Sequence, residues 1–73
     1  MTAPSRAHCE LIGALVRARY GCGLTQQQVA DRLGVTRPSV SMFESPSVRV
    51  PLLSSVLRYA EVVGVRLTIE EKP

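Results

Sequence analysis

Apolar residues recur at three- and four-residue steps in two short segments near the middle of the chain. In the first segment, one side of a helix would be formed by Val29, Ala30 and Leu33. Thr25 can accept a hydrogen bond from a first-turn amide, and Gln28 stands three residues later, where a capping box has Glu or Gln. The pattern therefore predicts a helix over residues 25–33.

The first segment ends at a glycine, which is typical of a helix end because glycine adopts the left-handed conformation without strain. That glycine is Gly34, and Thr36 can cap the next helix. Pro38 is tolerated because amides of the first turn have no intrahelical acceptor. The buried side would be formed by Val40 and Phe43. A second helix is predicted over residues 36–45.

Two longer helices are predicted on either side of this pair. The first covers residues 5–20 with Ser5 as its N-cap, and its inner side is expected to contain Cys9, Ile12, Leu15, Val16 and Arg19. The last covers residues 51–63 and begins at Pro51, and its inner side is expected to contain Leu53, Val56, Leu57, Ala60 and Val63. Gly64 ends it.

The period changes to two after the last helix. Over residues 65–70, the apolar side chains of Val65, Leu67 and Ile69 alternate with polar ones, which predicts a half-buried strand. A single strand in an otherwise helical chain has no partner of its own. We expect it to pair with a second copy across a twofold axis, the alternative being a tail that packs on its own core.

These elements predict one compact all-α domain over residues 1–73, with about four helices and a short C-terminal β-strand. The chain is short enough for a single core to be only marginally stable, and a second subunit is a common remedy. Its net charge of +3 and pI near 9.4 favour an anionic partner.

Helix, glycine turn, helix is the arrangement of a DNA-binding helix-turn-helix, whose second helix enters the major groove. The sequence from Arg19 through about Val65 also resembles the Cro and phage-repressor (XRE-type) helix-turn-helix family, whose domains are lambda-repressor-like and include many bacterial regulators and antitoxins. The residues that carry the resemblance are Arg19, Leu24, Thr25, Gln26, Val29, Ala30, Leu33, Gly34, Val35, Val40, Glu44 and Pro51.

Arg37 is the strongest candidate for a base contact. From the first turn of the second helix, its guanidinium can donate two hydrogen bonds to guanine O6 and N7. The resemblance adds Pro38 and Met42, which occupy base-contacting positions that are usually polar and which can at most touch thymine methyls. Ser41 can bond to a base edge with little selectivity, so the base code stays open.

Contacts to the DNA backbone are expected at the helix starts and in the loop after the second helix. The resemblance implies a phosphate contact for Gln26 and places the loop on the backbone. The full set of expected phosphate contacts is Gln26, Thr36, Ser39, Ser45, Ser47 and Arg49.

An arginine on the inner side of an apolar helix needs a partner. In the resembled family, the arginine at the position of Arg19 pairs with the glutamate at the position of Glu44, so we expect a structural ion pair. A phosphate contact by Arg19 is the alternative.

The sequence thus predicts a homodimeric regulator of transcription, most simply a repressor, that binds double-stranded DNA at a near-palindromic operator. It leaves open a phage Cro-like or stand-alone repressor and an antitoxin with a cognate toxin; the little chain available for binding a toxin favours the former. The alternative class is a protein-binding module that docks a partner through Pro38, Val40 and Met42.

Other functions find little support. His8, Cys9 and Cys22 lack metal-ligand spacing; we expect Cys9 to pack as a small apolar residue and His8 to be solvated. No cofactor, small-molecule ligand or catalytic group is predicted. The longest apolar run falls far short of a membrane span, and no signal peptide is evident, so a cytoplasmic protein is expected.

Overall fold

The computed structural model describes residues 5–45 and 51–68. This part of the chain forms four α-helices: α1 (Arg6–Gly21), α2 (Gln26–Leu33), α3 (Arg37–Glu44) and α4 (Leu53–Val62). The prediction of an all-α domain with four helices is confirmed. No strand occurs in the described residues. Residues 65–68 have no strand hydrogen bonding, and Ile69 lies outside the described residues, so the dimerising strand stays a prediction.

The first three helices begin with side-chain caps. Ser5 accepts a hydrogen bond from the backbone N–H of His8, and Thr36 accepts one from Ser39. At the start of α2, Thr25 accepts from the N–H of Gln28 while the Gln28 side chain accepts from the N–H of Thr25. This reciprocal pair satisfies two amides that the helix itself leaves without acceptors, and it fixes where α2 begins.

The hydrophobic core lies where the four helices meet: α2 packs against α3 and α4, and α1 packs against α3. Its buried residues are Ile12, Leu15, Val29, Ala30, Val40, Val56, Tyr59, Ala60 and Val63. The Phe43 ring stacks on the Tyr59 ring with the centroids 4.6 Å apart, which joins α3 to α4. These contacts determine how α3 is presented on the surface.

The inner side of α4 differs from the prediction. Leu53 and Leu57 are 71% and 50% exposed, whereas Tyr59, which was not predicted to be in the core, is 1% exposed. The buried arc of α4 is centred on Val56, Tyr59 and Ala60, so the two leucines lie at its edge. Tyrosine can be buried there because its hydroxyl finds a hydrogen-bond partner, described below.

The N-terminal half of α1 also departs from expectation. Cys9 is exposed because α1 contributes buried side chains only from Ile12 onward. His8, expected in solvent, is half-buried, and both of its ring nitrogens are buried without a hydrogen-bond partner. After α4, the N–H of Val65 donates to the carbonyl of Ala60 at 2.8 Å, so the chain turns back onto the core.

Gly34 ends α2 in the left-handed conformation with φ 71°, whereas Gly21 in α1 has no positive φ, and a Cβ at either position would meet no atom within 4 Å. We expect Gly34→Ala to lower the free energy of unfolding by about 1 kcal/mol, because only backbone strain is added. Gly21→Ala is the matched control and should be neutral or stabilising. Urea denaturation measures both; equal stability of the two variants would contradict the prediction.

Candidate nucleic-acid interface

One side of α3 is buried and the other faces solvent. Val40 is 2% exposed and Phe43 is half-buried, and both pack on the core. The solvent side comprises Arg37, Pro38, Ser39, Ser41 and Met42. Because a helix is fixed in rotation by its buried side, the expected base-contacting residues Arg37, Pro38, Ser41 and Met42 are all presented outward.

Val40 cannot belong to an exposed docking surface. The alternative function required an apolar face of Pro38, Val40 and Met42, yet Val40 is almost completely buried, whereas Met42 is 44% exposed. The interpretation of Val40 as a partner contact is therefore wrong. The side chain fills the core because it lies on the same side of α3 as Phe43, which leaves Pro38 and Met42, one turn apart, as the exposed apolar residues of that proposed face.

The carboxylate of Glu44, in the last turn of α3, is the meeting point of all four helices. It accepts two hydrogen bonds from Arg19 of α1, from Nε at 2.7 Å and from Nη2 at 3.0 Å. Gln26 of α2 donates from Nε2 at 3.0 Å, and Tyr59 of α4 donates from its hydroxyl at 2.5 Å. We call these four residues the Glu44 network. The structure thus brings Arg19 and Glu44 together as a bidentate ion pair.

Arg19 makes further contacts beyond this ion pair. Besides Glu44, its guanidinium donates from Nη1 to the carbonyl of Leu24 at 3.0 Å, which anchors the turn between α1 and α2. Its Cζ lies 4.5 Å from the centroid of the Tyr20 ring, a cation–π distance. The Arg19 side chain is 6% exposed and that of Glu44 is 8% exposed. The Arg19 side chain is therefore buried and hydrogen bonded within the domain, and little of its surface can contact a phosphate.

Burial and hydrogen bonding in the Glu44 network shift the pKa values of three of its side chains. Burial by itself would raise the pKa of the Glu44 carboxyl, but hydrogen bonds from Arg19, Gln26 and Tyr59 outweigh burial and hold the pKa below its ordinary value. The hydrogen bond to Glu44 raises the pKa of Arg19. Burial, together with the hydrogen bond to Glu44, raises the pKa of the Tyr59 phenol well above its usual range. All three groups keep their neutral-pH charge states throughout the physiological range.

Gln26 has two tasks in this arrangement. One amide hydrogen of its side chain is used by Glu44, and a glutamine amide carries two. The backbone amides of Gln26 and Gln27 lie in the first turn of α2 and have no intrahelical acceptor. One side-chain hydrogen and these amides are thus the donors that α2 can offer at its N-terminus, where the helix dipole favours an anion.

An open depression of about 530 Å³ lies beside the N-terminus of α2. It is lined by Arg19, Tyr20, Gly23, Leu24, Thr25, Gln26, Gln27 and Arg37. This lining contains two arginines and no carboxylate. Since the charge of Arg19 is paired with Glu44, Arg37 supplies the unpaired positive charge. The depression therefore joins the start of α2 to the first turn of α3 in one surface that suits an anion.

The other expected phosphate contacts lie at the two ends of α3 or outside the described residues. The hydroxyls of Thr36 and Ser39 lie 3.0 Å apart and hydrogen bond to each other at the start of α3. Ser45 follows α3, and its backbone N–H donates to the carbonyl of Met42. Ser47 and Arg49 lie outside the described residues. Thr36 therefore caps α3, and the Ser39 hydroxyl bonds to that cap, whether or not either residue binds DNA.

Two tyrosines were missed by the sequence reasoning. Tyr59 stands three residues after Val56 and four before Val63, a spacing that places it on the buried side of α4. Tyr20 directly follows Arg19 and is 69% exposed, and no spacing rule signals its contact with the guanidinium. The burial of Tyr59 could have been predicted from helical periodicity, whereas the contact of Tyr20 with Arg19 needed the tertiary structure.

In the described ranges, no three His, Cys, Asp or Glu side chains group closely enough to hold a metal ion. None of the helices in that part of the chain is both long and apolar enough to cross a membrane. The Cys22 thiol donates to the carbonyl of Val63, which ties the end of α1 to the end of α4.

Comparison with known proteins agrees with this architecture. A family model described as "Helix-turn-helix" matches residues 16–69. Antitoxin HigA1 of Mycobacterium tuberculosis, in the CDC 1551 / Oshkosh and ATCC 25618 / H37Rv strains, is 45% identical over 60 residues. These residues make up 81% of this chain and 39% of the relative, so the chain spans about two fifths of that relative's length. No solved structure matches the chain.

The lowered pKa of Glu44 predicts how stability responds to acid. Because the carboxyl binds a proton less readily when folded, the unfolded chain binds more protons below about pH 4.3, the ordinary glutamate pKa. The contribution of Glu44 to stability is therefore present above that pH and lost as pH falls through the folded-state pKa. Urea unfolding of wild type between neutral and acidic pH should show this decline.

Two variants test whether Glu44 causes this loss of stability in acid. Glu44→Gln removes the titrating group and should be less stable than wild type at neutral pH but less sensitive to acid. Glu61→Gln changes an exposed carboxyl on α4 and should keep the wild-type pH profile. A Glu44→Gln variant with the full wild-type decline would show that other carboxyls cause it.

Proposed function

Because this chain belongs to the helix-turn-helix family, we propose that it is a sequence-specific regulator of transcription that binds double-stranded DNA. The single observation that carries the proposal is the position of Arg37. It is exposed on the first turn of α3 and borders a depression that contains no carboxylate and reaches the N-terminus of α2. A DNA backbone requires positive charge and amide donors on such a surface, beside the helix that enters the groove.

The contacts divide into two classes. Arg37 contacts base edges in the major groove, preferentially guanine, and Ser41, Pro38 and Met42 border the same bases with less selectivity. Gln26 binds a phosphate through its backbone amide and its second side-chain hydrogen, because Glu44 occupies the first. The remaining backbone contacts of the proposal are Thr36, Ser39, Ser45, Ser47 and Arg49.

The Glu44 network makes this surface rigid before DNA arrives. Arg19, Gln26 and Tyr59 connect the C-terminal end of α3 to the other helices through buried hydrogen bonds. A preorganised surface loses less conformational entropy on binding than a flexible one. Arg19 and Glu44 therefore act as structural residues in this proposal and not as DNA contacts.

Two copies would bind one operator. Half-sites one helical turn apart are separated by about 34 to 36 Å, which requires a twofold dimer and a near-palindromic sequence. We propose that residues 65–70 pair with the same residues of a second copy, with Val65, Leu67 and Ile69 at the interface. Of the two that the structure describes, Val65 is half-buried against its own core and Leu67 is 38% exposed, so Leu67 offers more surface to a partner than Val65.

The similarity to Antitoxin HigA1 favours one kind of regulator over the others. We propose an antitoxin that represses its own operon and neutralises a cognate toxin, in preference to a phage Cro-like or stand-alone repressor. A non-catalytic, cytoplasmic protein is consistent with that role. Co-expression with each neighbouring gene tests it: a neighbour that stops growth alone, but not together with this chain, would support the antitoxin role.

The experiment that tests DNA binding is a fluorescence titration of labelled DNA from directly upstream of the gene, with random duplex as control, at two salt concentrations. Binding through phosphates weakens steeply as salt rises, whereas docking of a protein through an apolar face does not. Tight, salt-sensitive and selective binding supports the proposal. Absence of binding to either duplex at low salt would refute it and move attention to a protein partner.

Arg37→Ala should weaken operator binding more than random binding. Loss of a bidentate guanine contact costs about 1 to 3 kcal/mol of discrimination. Arg6→Ala is the matched control. It removes the same charge at the N-terminal end of α1, away from the proposed interface, where Arg6 pairs with Glu10. It should leave the ratio of operator to random affinity unchanged. Equal losses on both duplexes for Arg37→Ala would exclude the base contact.

Leu67→Lys tests the proposed strand interface. A lysine in the centre of a paired apolar face places two charges close together across the twofold axis, so the dimer should dissociate at concentrations where wild type is dimeric. Sedimentation measures the oligomeric state, and Thr68→Lys adds the same charge on the opposite side of the strand as a control. A Leu67→Lys variant that stays dimeric would rule out this interface.

A further inference from the structure

Tyr20 is a large, exposed side chain whose ring contacts a buried arginine. It lies in the last turn of α1 with 69% of its surface exposed. The Arg19 guanidinium lies over its ring, with Cζ 4.5 Å from the ring centroid. That guanidinium is in turn fixed by hydrogen bonds to Glu44 and to the carbonyl of Leu24. The phenol therefore has a rigid support on one face.

Tyr20 also borders the depression that Arg37 and the N-terminus of α2 share. Its neighbours on that surface include Gln26 and Gln27 as amide donors and Arg37 as the unpaired positive charge, and the lining contains no carboxylate. A tyrosine hydroxyl is a neutral donor that bonds well to phosphate oxygens. An aromatic side chain with few rotatable bonds loses little conformational entropy when it makes such a contact.

We propose that Tyr20 is a further DNA contact, donating a hydrogen bond from its hydroxyl to a backbone phosphate at the edge of the half-site. The inference rests on the proposed DNA-binding function and adds to it a contact that is neutral and independent of base sequence. Tyr20 belongs to α1, whereas the groove is entered by α3, so a phosphate and not a base edge is its target.

A phosphate contact through a neutral group has a signature that distinguishes it from an arginine contact. Tyr20→Phe removes only the hydroxyl and keeps the ring on which Arg19 rests. We expect affinity for operator and for random duplex to fall by the same factor, about 10- to 150-fold, as for loss of a hydrogen bond to a charged acceptor. The dependence of affinity on salt should not change, whereas loss of a charged phosphate contact would reduce the salt slope by about 1.

The experiment is the same fluorescence titration on both duplexes over a salt series, with Cys9→Ala as control. Cys9 is exposed on α1, eleven residues before Tyr20, and its replacement should leave both affinities unchanged. Failure of wild type to bind DNA would refute the proposed function itself. Wild-type binding together with unchanged affinities in Tyr20→Phe would overturn only the present inference, as would a loss confined to operator DNA.

Neutral methylphosphonates locate the contact. A set of operator duplexes, each with one phosphate neutralised, is titrated with wild type and with Tyr20→Phe. At the contacted phosphate, the methylphosphonate should weaken wild type more than it weakens the variant, because the variant has already lost its hydrogen bond to that phosphate. If no phosphate shows this difference between the two proteins, Tyr20 does not bind the backbone.

Discussion

The carboxylate of Glu44 accepts hydrogen bonds from residues of α1, α2 and α4, so one buried anion joins the four helices of this small domain. Such a group is a stabilising feature only while all its donors are in place. Removal of one partner from a buried ion pair typically costs about 3 to 5 kcal/mol, because the other charge stays buried without compensation. A domain of this length has a total stability of only about 5 to 15 kcal/mol, so the network is a large share of what holds α3 in position.

The same network connects stability to the proposed interface. Gln26 gives one hydrogen to Glu44 and keeps donors for a phosphate, while Arg19 supports the ring of Tyr20. Arg37 lies at the opposite end of α3 from Glu44, and its direction depends on the rotation that Val40 and Phe43 impose on the helix. Substitutions in the interior are thus expected to move the exposed residues of α3 by altering the orientation of that helix.

An apolar face on α4 remains exposed, outside both the core and the proposed DNA interface. Leu53 and Leu57 are one turn apart and largely exposed, although their pattern had placed them in the core. Tyr59 took the buried position because its hydroxyl reaches Glu44 and its ring stacks on Phe43. A leucine could fill the volume, but it could not satisfy the carboxylate, and an unsatisfied buried charge is far more costly than an exposed leucine.

What the sequence determined by itself is local. The caps at Ser5, Thr25 and Thr36 and the left-handed Gly34 depend on residues a few positions apart, so the four helices and their order followed from the chain alone. The contact between Arg19 and Glu44 spans 25 residues and was expected only through resemblance to a family. The tertiary structure decided which side chains complete the Glu44 network and which ring faces Arg19. Those partners come from different helices, and helical periodicity gives the side on which a residue lies but not the group that it meets there.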